Sequence, residues 1–468
     1  MRLRYSCLCV VVAALAAPLA STQTDDQRLV TAMKDRDLTA VRNFIAEGVG
    51  VNTQDAETAT ALHWAAHWND HEAVRLLLTA GADPNVSNRF GVTPLHEAAI
   101  VRNADMIAAM LEAGADANAS FGEGESVLMT AARTGDVAAV EIILAHGGDA
   151  TATENWHGQT ALMWSALEDH ADVAQLLIEY GADVNRTSTE HDWIDILYSA
   201  GNVPKTRDLG GLTPLHFATR HGAAKVVDVL IAAGANTAAE EPMYGLTPLQ
   251  TAVVNGHYSL AADLIRTHGV DVDDGSLYLA IDTRHLGFYA QRPNPPDLDG
   301  GVSNLDVITL LLARGADPDL PYAKGIPERT VAGEINVAPG STPLDRAATD
   351  NDLTVIQALL GNGANAAVVA EDGTTPLMLL TGYTRKAFGG PPKISDDPVR
   401  MQTIKLLLEA GADTNATQAE SGNTAVHYAA MQGANDVIAL LTEFGATLDL
   451  QNAEGKTAQE LAPTSATQ

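Results

Sequence analysis

The sequence predicts an all-α solenoid of stacked helix pairs with β-hairpin-like fingers between them. Three observations predict it. First, a block that opens on Thr recurs along the chain: Thr60-Ala61-Leu62-His63-Trp64-Ala65-Ala66 returns 33 residues later as Thr93-Pro94-Leu95-His96-Glu97-Ala98-Ala99. Further copies open at Ser126, Thr160, Thr213, Thr247, Thr342, Thr375, Thr424 and Thr457. Second, an apolar run ending in a turn follows the first block, at a fixed distance where no insertion intervenes. It is Leu76 to Asn85 in its first clear copy and returns around Gly114, Gly181, Gly234, Gly315, Gly363, Gly411 and Gly445. Third, a glycine stands two residues before every opening except the first, where Thr58 takes its place.

Each block has a physical reason. A Thr or Ser hydroxyl caps the free N–H groups at a helix start. Proline tolerates the next position because its missing N–H would be unpaired there. Leu62, Leu95 and their equivalents face the core, and the Ala pairs let two helices approach closely. The second helix carries an apolar stripe, Val74, Leu77 and Leu78, and stops at Gly81, which accepts a left-handed helix end. The recurring glycine marks a tight finger turn that needs a permissive backbone. One such unit cannot bury its apolar face alone, so neighbours must stack.

In chain order, residues 1–22 read as a signal peptide: Arg2 and Arg4, then an apolar run from Leu8 to Ala20, too short for a transmembrane span. Cleavage is expected between Ala16 and Thr24. Both cysteines, Cys7 and Cys9, fall inside it, so no disulfide or thiolate chemistry is expected afterwards. Residues 25–55 read as an N-terminal capping repeat with a polar first helix and a second helix from Leu38 to Glu47. Regular repeats fill 56–185, 210–288 and 341–452. Insertions lengthen the period at 186–209, 289–303, 320–340 and 382–397, and 304–319 is the second helix of a split repeat whose degenerate first helix runs through Leu277 and Ala280. Residues 453–468 make a half-repeat and tail. The count is about eleven helix pairs plus this half-unit. The first insertion holds Trp193, Ile194, Ile196, Leu197 and Tyr198, enough for a short extra helix.

These two blocks at this period resemble the ankyrin repeat, over nearly all of residues 25–463. The resemblance implies a protein-binding scaffold, with His63, His96, His216 and His427 bracing backbone between neighbouring repeats. Met129, Met163, Gln250 and Asp345 stand at the same place in other copies. It also implies a concave binding side made of finger tips and the exposed ends of the first helices.

No constellation for catalysis, cofactor or metal binding is expected. Asp271-Val272-Asp273-Asp274-Gly275 departs from a calcium loop in its glycine and in its twelfth position. An active site on the insertions would draw on His191, Asp192 and Asp195 alone. Asn85, Asn118, Asn185 and Asn415 each open an Asn-x-Ser/Thr triplet, but also occupy the ordinary turn position of the repeat. The net charge of −31 repels nucleic acid and anionic membranes and favours a partner with apolar and basic surface. Composition rich in Ala and Arg and poor in Lys favours a bacterial source, hence a periplasmic or secreted protein, and an effector or inhibitor acting on a host or envelope protein would use the same surface.

The register places the binding residues. Finger positions carry Phe90, Trp156, His157, Met243 and Tyr244; helix ends carry Trp68, Ile100, Val101 and Leu167, beside His67. Large apolar residues where the repeat meets water suggest interface anchors. Later repeats carry Thr349, Asp350, Glu371, Asp372, Glu420 and Gln432 there, so binding is expected to concentrate before residue 260. Trp64, Trp164, Phe217 and Tyr428, one turn earlier, are expected to pack between helices.

Overall fold

A computed structural model describes residues 27–190, 210–284, 301–324, 340–383 and 397–463. The leader, most of all four insertions and the residues Trp193, Ile194, Ile196, Leu197, Tyr198, His191, Asp192 and Asp195 lie outside the described residues. The chain divides into two compact units, residues 1–148 and 149–468.

The first unit holds four helix pairs: α1 (Arg28–Lys34) with α2 (Leu38–Ala46), α3 (Ala61–His67) with α4 (His71–Thr79), α5 (Pro94–Ile100) with α6 (Ala104–Glu112), and α7 (Val127–Thr134) with α8 (Val137–Ala145). The first helices of the pairs pack in a row, and α4, α6 and α8 pack in a second row behind them. Ala65, Ala66, Ala98 and Ala99 are wholly buried at this seam. Their small side chains bring the two rows together. The second helices start on a carboxylate or amide cap: Asp37, Asp70, Asn103 and Asp136 accept from the backbone N–H of Ala40, Ala73, Met106 and Ala139. One finger closes into a two-residue antiparallel ladder, β1 (Ser120–Phe121) with β2 (Glu125–Ser126).

The second unit holds α9 (Ala161–Leu167) with α10 (Ala171–Glu179), α11 (Pro214–His221) with α12 (Ala224–Ala232), and α13 (Pro248–Val254) with α14 (Tyr258–Asp263), which runs on into a π-helical turn, Leu264–His268. Next come α15 (Ser276–Arg284) with α16 (Asn304–Ala313), α17 (Pro343–Thr349) with α18 (Leu353–Gly361), α19 (Pro376–Leu380) with α20 (Pro398–Glu409), α21 (Ala425–Met431) with α22 (Asn435–Glu443), and the lone α23 (Ala458–Leu461). Among the described residues the fold is therefore eleven helix pairs and a terminal half-pair, all-α apart from short finger ladders.

All nine finger glycines adopt positive φ, from +62° at Gly158 to +91° at Gly124. Thr58, at the exceptional finger, is forced to φ +58°. A β-branched residue there is strained.

Three of the four repeat histidines brace neighbouring repeats. His63, His216 and His427 each touch the cap-threonine hydroxyl through Nδ1 at 2.8–2.9 Å. Through Nε2 they reach the carbonyl just before the next cap threonine: Val92 at 3.0 Å, Leu246 at 3.1 Å and Lys456 at 3.2 Å. One imidazole thus ties a helix start to the following finger. His96 makes the first contact, 2.9 Å to Thr93, but its buried Nε2 has no partner. Gln250 takes the same place, accepting from Thr247 N–H and donating to the Asp274 carbonyl, while the Thr247 hydroxyl turns to the Asp274 carboxylate.

A second inter-repeat staple runs through the turn asparagines. Asn85 donates to the Gly114 carbonyl and accepts from Asp116 N–H, both at 2.8 Å. Asn185 and Asn415 do the same to Gly234 with Asn236 and to Gly445 with Thr447, and Asn118 donates to Gly147.

Candidate protein-binding faces

In the first unit, Trp68 caps the C-terminus of α3 and is 38% exposed. Its ring meets His67 edge-on at 4.9 Å and lies 6.3 Å from Trp64, with the Arg36 guanidinium 5.6 Å from its centre. His67 Nδ1 sits 3.1 Å from Glu97, which raises the imidazole pKa against the opposing effect of partial burial. Trp64 is half-buried and tied down: its Nε1–H donates to Asp55 at 3.0 Å, and Lys34 lies over its ring. Burial pushes the Asp55 carboxyl up, but hydrogen bonds from Lys34, Ala59 N–H and Trp64 outweigh it and hold the pKa low. The cluster is therefore a rigid base with Trp68 as its open edge.

One repeat on, Ile100 ends α5 and is 43% exposed, while Val101 is half-buried. α3 and α5 pack side by side, which sets Trp68 and Ile100–Val101 at equivalent ends of adjacent helices. Phe90, on the finger, is 60% exposed. Arg89 lies 4.6 Å from its ring centre and pairs with Glu57.

In the second unit, Trp156 is 48% exposed and meets half-buried His157 edge-on at 5.8 Å. The finger is held from beneath by Glu154, a buried carboxylate that accepts from the N–H groups of Trp156, His157 and Gln159. Glu241 does the same for Met243, Tyr244 and Leu246. These positioning acids did not emerge from the sequence. The available signal was a lone Glu six residues before the cap threonine, in two copies.

His157, Leu167, Met243 and Tyr244 are half-buried rather than open, and two of these fingers are bonded by residues further along the chain. Thr189, on the next finger, donates its N–H to the His157 carbonyl at 2.7 Å. Lys324, at the start of the third insertion, bonds Glu240 and the Gly245 carbonyl, both at 2.8 Å. Trp164 is half-buried, and Phe217 and Tyr428 are buried.

Exposed apolar residues also occur beyond residue 260: Val369, Val399, Met431, Phe444 and Leu448. Met431 occupies the register of Ile100, directly after an Ala pair, and sequence reasoning passed over it in favour of Gln432. It borders an open groove of about 440 Å³ with Tyr383, Ser421 and Tyr428.

Among the described residues, no group of three or more His, Cys, Asp or Glu is placed to hold a metal ion. The carboxylates of 271–274 serve the turn: Asp271 accepts from Asp273 N–H, Asp273 from Asp317 N–H, and Asp274 from Ser276 N–H and the Thr247 hydroxyl. No helix among the described residues is long and apolar enough to cross a membrane.

Comparison with known proteins bears on this arrangement. A family model for ankyrin repeats matches residues 29–121, 114–188, 190–275 and 399–464. Ankyrin repeat and SOCS box protein 16 of Homo sapiens is 34% identical over 119 residues, 25% of this chain and 23% of that protein. The Danio rerio protein ZDHHC13, named for a supposed palmitoyltransferase activity, is 26% identical over 268 residues, 57% of this chain and 30% of that protein. Neurogenic locus notch homolog protein 1 of Danio rerio is 30% identical over 214 residues, 46% of this chain and 8% of that protein. The chain thus spans less than a third of the length of each of these relatives.

Proposed function

This chain belongs to the ankyrin-repeat family, and from that premise we propose that it holds a protein partner rather than catalysing a reaction. The observation that carries the reading is the first unit's trio of Trp68, Ile100 and Phe90. Three large apolar side chains stand open to water there, on helix ends and a finger fixed by hydrogen bonds and ion pairs. Aromatic anchors on rigid elements supply binding energy at little ordering cost. Val101 is a half-covered flank of Ile100, and Trp156 is the corresponding anchor of the second unit, with His157, Leu167, Met243 and Tyr244 as half-covered flanks. The palmitoyltransferase in a relative's name stays with that protein.

Export to a periplasm or the medium is part of the proposal. It rests on the basic-then-apolar leader of residues 1–22 and on the composition; the relatives above are animal proteins. An N-terminus beginning between residues 16 and 24 in the protein recovered from its source supports export, and an intact Met1 in the cell interior sinks it.

The binding test compares the parent with a Trp68→Ala, Phe90→Ala, Ile100→Ala variant that retains its helical circular dichroism. Each is immobilised and exposed to envelope and medium extracts. A protein kept by the parent and lost by the variant establishes the face. Equal retention by both moves the face elsewhere, with Trp156 next. No specific retention by either removes the scaffold reading.

A further inference from the structure

Asp345 occupies the brace position of α17, where His63, His216 and His427 stand in their own repeats. It is almost wholly buried. Its Oδ2 accepts from both the N–H and the hydroxyl of Thr342, each at 2.9 Å. That reproduces the Nδ1 half of the imidazole contact. The other half is a donor, and an ionised carboxylate has none. Asp345 Oδ1 has no hydrogen-bond partner. By register, the group a brace must reach belongs to Thr374, which immediately precedes the cap Thr375. The Thr374 hydroxyl is likewise buried without a partner. Its carbonyl accepts one bond, from Ala370 N–H, as the Val92 carbonyl does from Asn88 before His63 adds the second.

The surroundings of Asp345 oppose its negative charge. Burial pushes its carboxyl up to about 7, against the two bonds from Thr342, and the negative charges of Asp372 and Asp319 add to the push. Tyr278, from α15, faces it as a neutral phenol. The neighbouring Arg346 is engaged by Asp282 and Asp350 at 2.7 Å each. α18 and α19 carry no titratable side chain.

We propose that Asp345 is carried as the neutral acid and takes the place of the imidazole, its Oδ1–H donating to the Thr374 carbonyl, so that the junction between the α17–α18 and α19–α20 pairs is tied at low pH and loosened as the carboxyl ionises. Uptake of one proton supplies the missing donor. Its loss leaves a bare carboxylate with no donor for the Thr374 carbonyl, with two further acids nearby. The raised folded value means that the stability from this proton is complete below the unfolded carboxyl value near 3.8 and disappears as pH rises through about 7.

The test is hydrogen exchange read by mass spectrometry on the full chain, at pH 5 and pH 8.5, corrected for intrinsic exchange rates. Peptides covering 342–380 in the parent are expected to lose protection by roughly tenfold to a hundredfold on going to pH 8.5. In Asp345→Asn the amide accepts from Thr342 and donates at every pH, so the same peptides should hold constant. In Asp345→His a buried imidazole must stay neutral to brace, so the slope should reverse and protection should fall on acidification. A flat parent overturns the proposal, as does an Asn variant that keeps the parent's slope. If the Asn variant does not fold, the direction of the His variant's slope decides.

Discussion

His96 in the first unit and Asp345 in the second hold the same place in their repeats and respond to acid in opposite senses. Around α5 the repeat follows its pattern closely: small apolar residues, an imidazole brace and a regular 33-residue spacing. Burial lowers the His96 pKa to about 4 and also lowers that of His63, so folding favours the neutral imidazole at both positions. Around α17 the preceding repeat is degenerate and the core is ionic. Arg346 is buried between Asp282 and Asp350, Arg284 pairs with Asp352 at 2.6 Å, and Tyr278 stacks on Tyr322 at 4.9 Å. The architecture therefore fixes where the brace residue sits, but neither how many of the two contacts it makes nor the sign of the charge it must avoid.

Removing the cation from the ionic core is the severest way to break the comparison. Arg346→Ala strands Asp282 and Asp350 in a low-dielectric site, and an unpaired buried charge of this kind costs about 3–5 kcal/mol. Exchange in α15 and α17 should rise strongly while α3 and α5 stay protected. Equal effects on both units would mean that the ionic core is not local.

Acid separates the two units next. A histidine with a lowered folded pKa contributes in full above its unfolded value near 6.5 and loses that contribution as pH falls. For His96 the window runs down to about 4 and is worth about 3 kcal/mol at most. Protection of α5 should fall across it. His96→Gln, which copies the brace found at Gln250, should flatten the fall.

Two smaller changes in the first unit act as controls, since neither touches a brace. Thr58→Gly relieves a left-handed backbone at a β-branched residue and should raise the urea midpoint by the equivalent of about 1 kcal/mol. Phe90→Ala removes an open ring and one exposed cation–π contact, and should cost less than about 1 kcal/mol while still weakening partner capture. Neither should alter the acid response of α5.

Most of the architecture was legible because it is local. The cap threonine, the Ala pair and the finger glycine each act within a few residues, and their spacing alone set the register of Trp68, Ile100 and Phe90. What was not legible depends on contacts made at a distance. Met243 and Tyr244 sit in the same finger register as Phe90 and are half-covered; Lys324, 79 residues beyond Gly245, bonds to their finger. Met431 was overlooked because its neighbours Gln432 and Glu420 gave that register a polar look. The buried charge of Arg346 has no signature in composition, since an arginine one turn into a helix reads as solvent-facing until Asp282 is placed against it.

The asparagine staples bear on how this protein can be made. Asn85, Asn118, Asn185 and Asn415 each have their amide nitrogen against a neighbouring repeat's carbonyl, and each opens a triplet that a eukaryotic secretory pathway reads as an acceptor. A glycan attached there before folding places a bulky sugar where two repeats must close. Secretion from yeast or animal cells should therefore yield chains that are underglycosylated if folded and retained if glycosylated, whereas a host without that modification should return one homogeneous product. For this protein the choice of expression host is a question about repeat stacking.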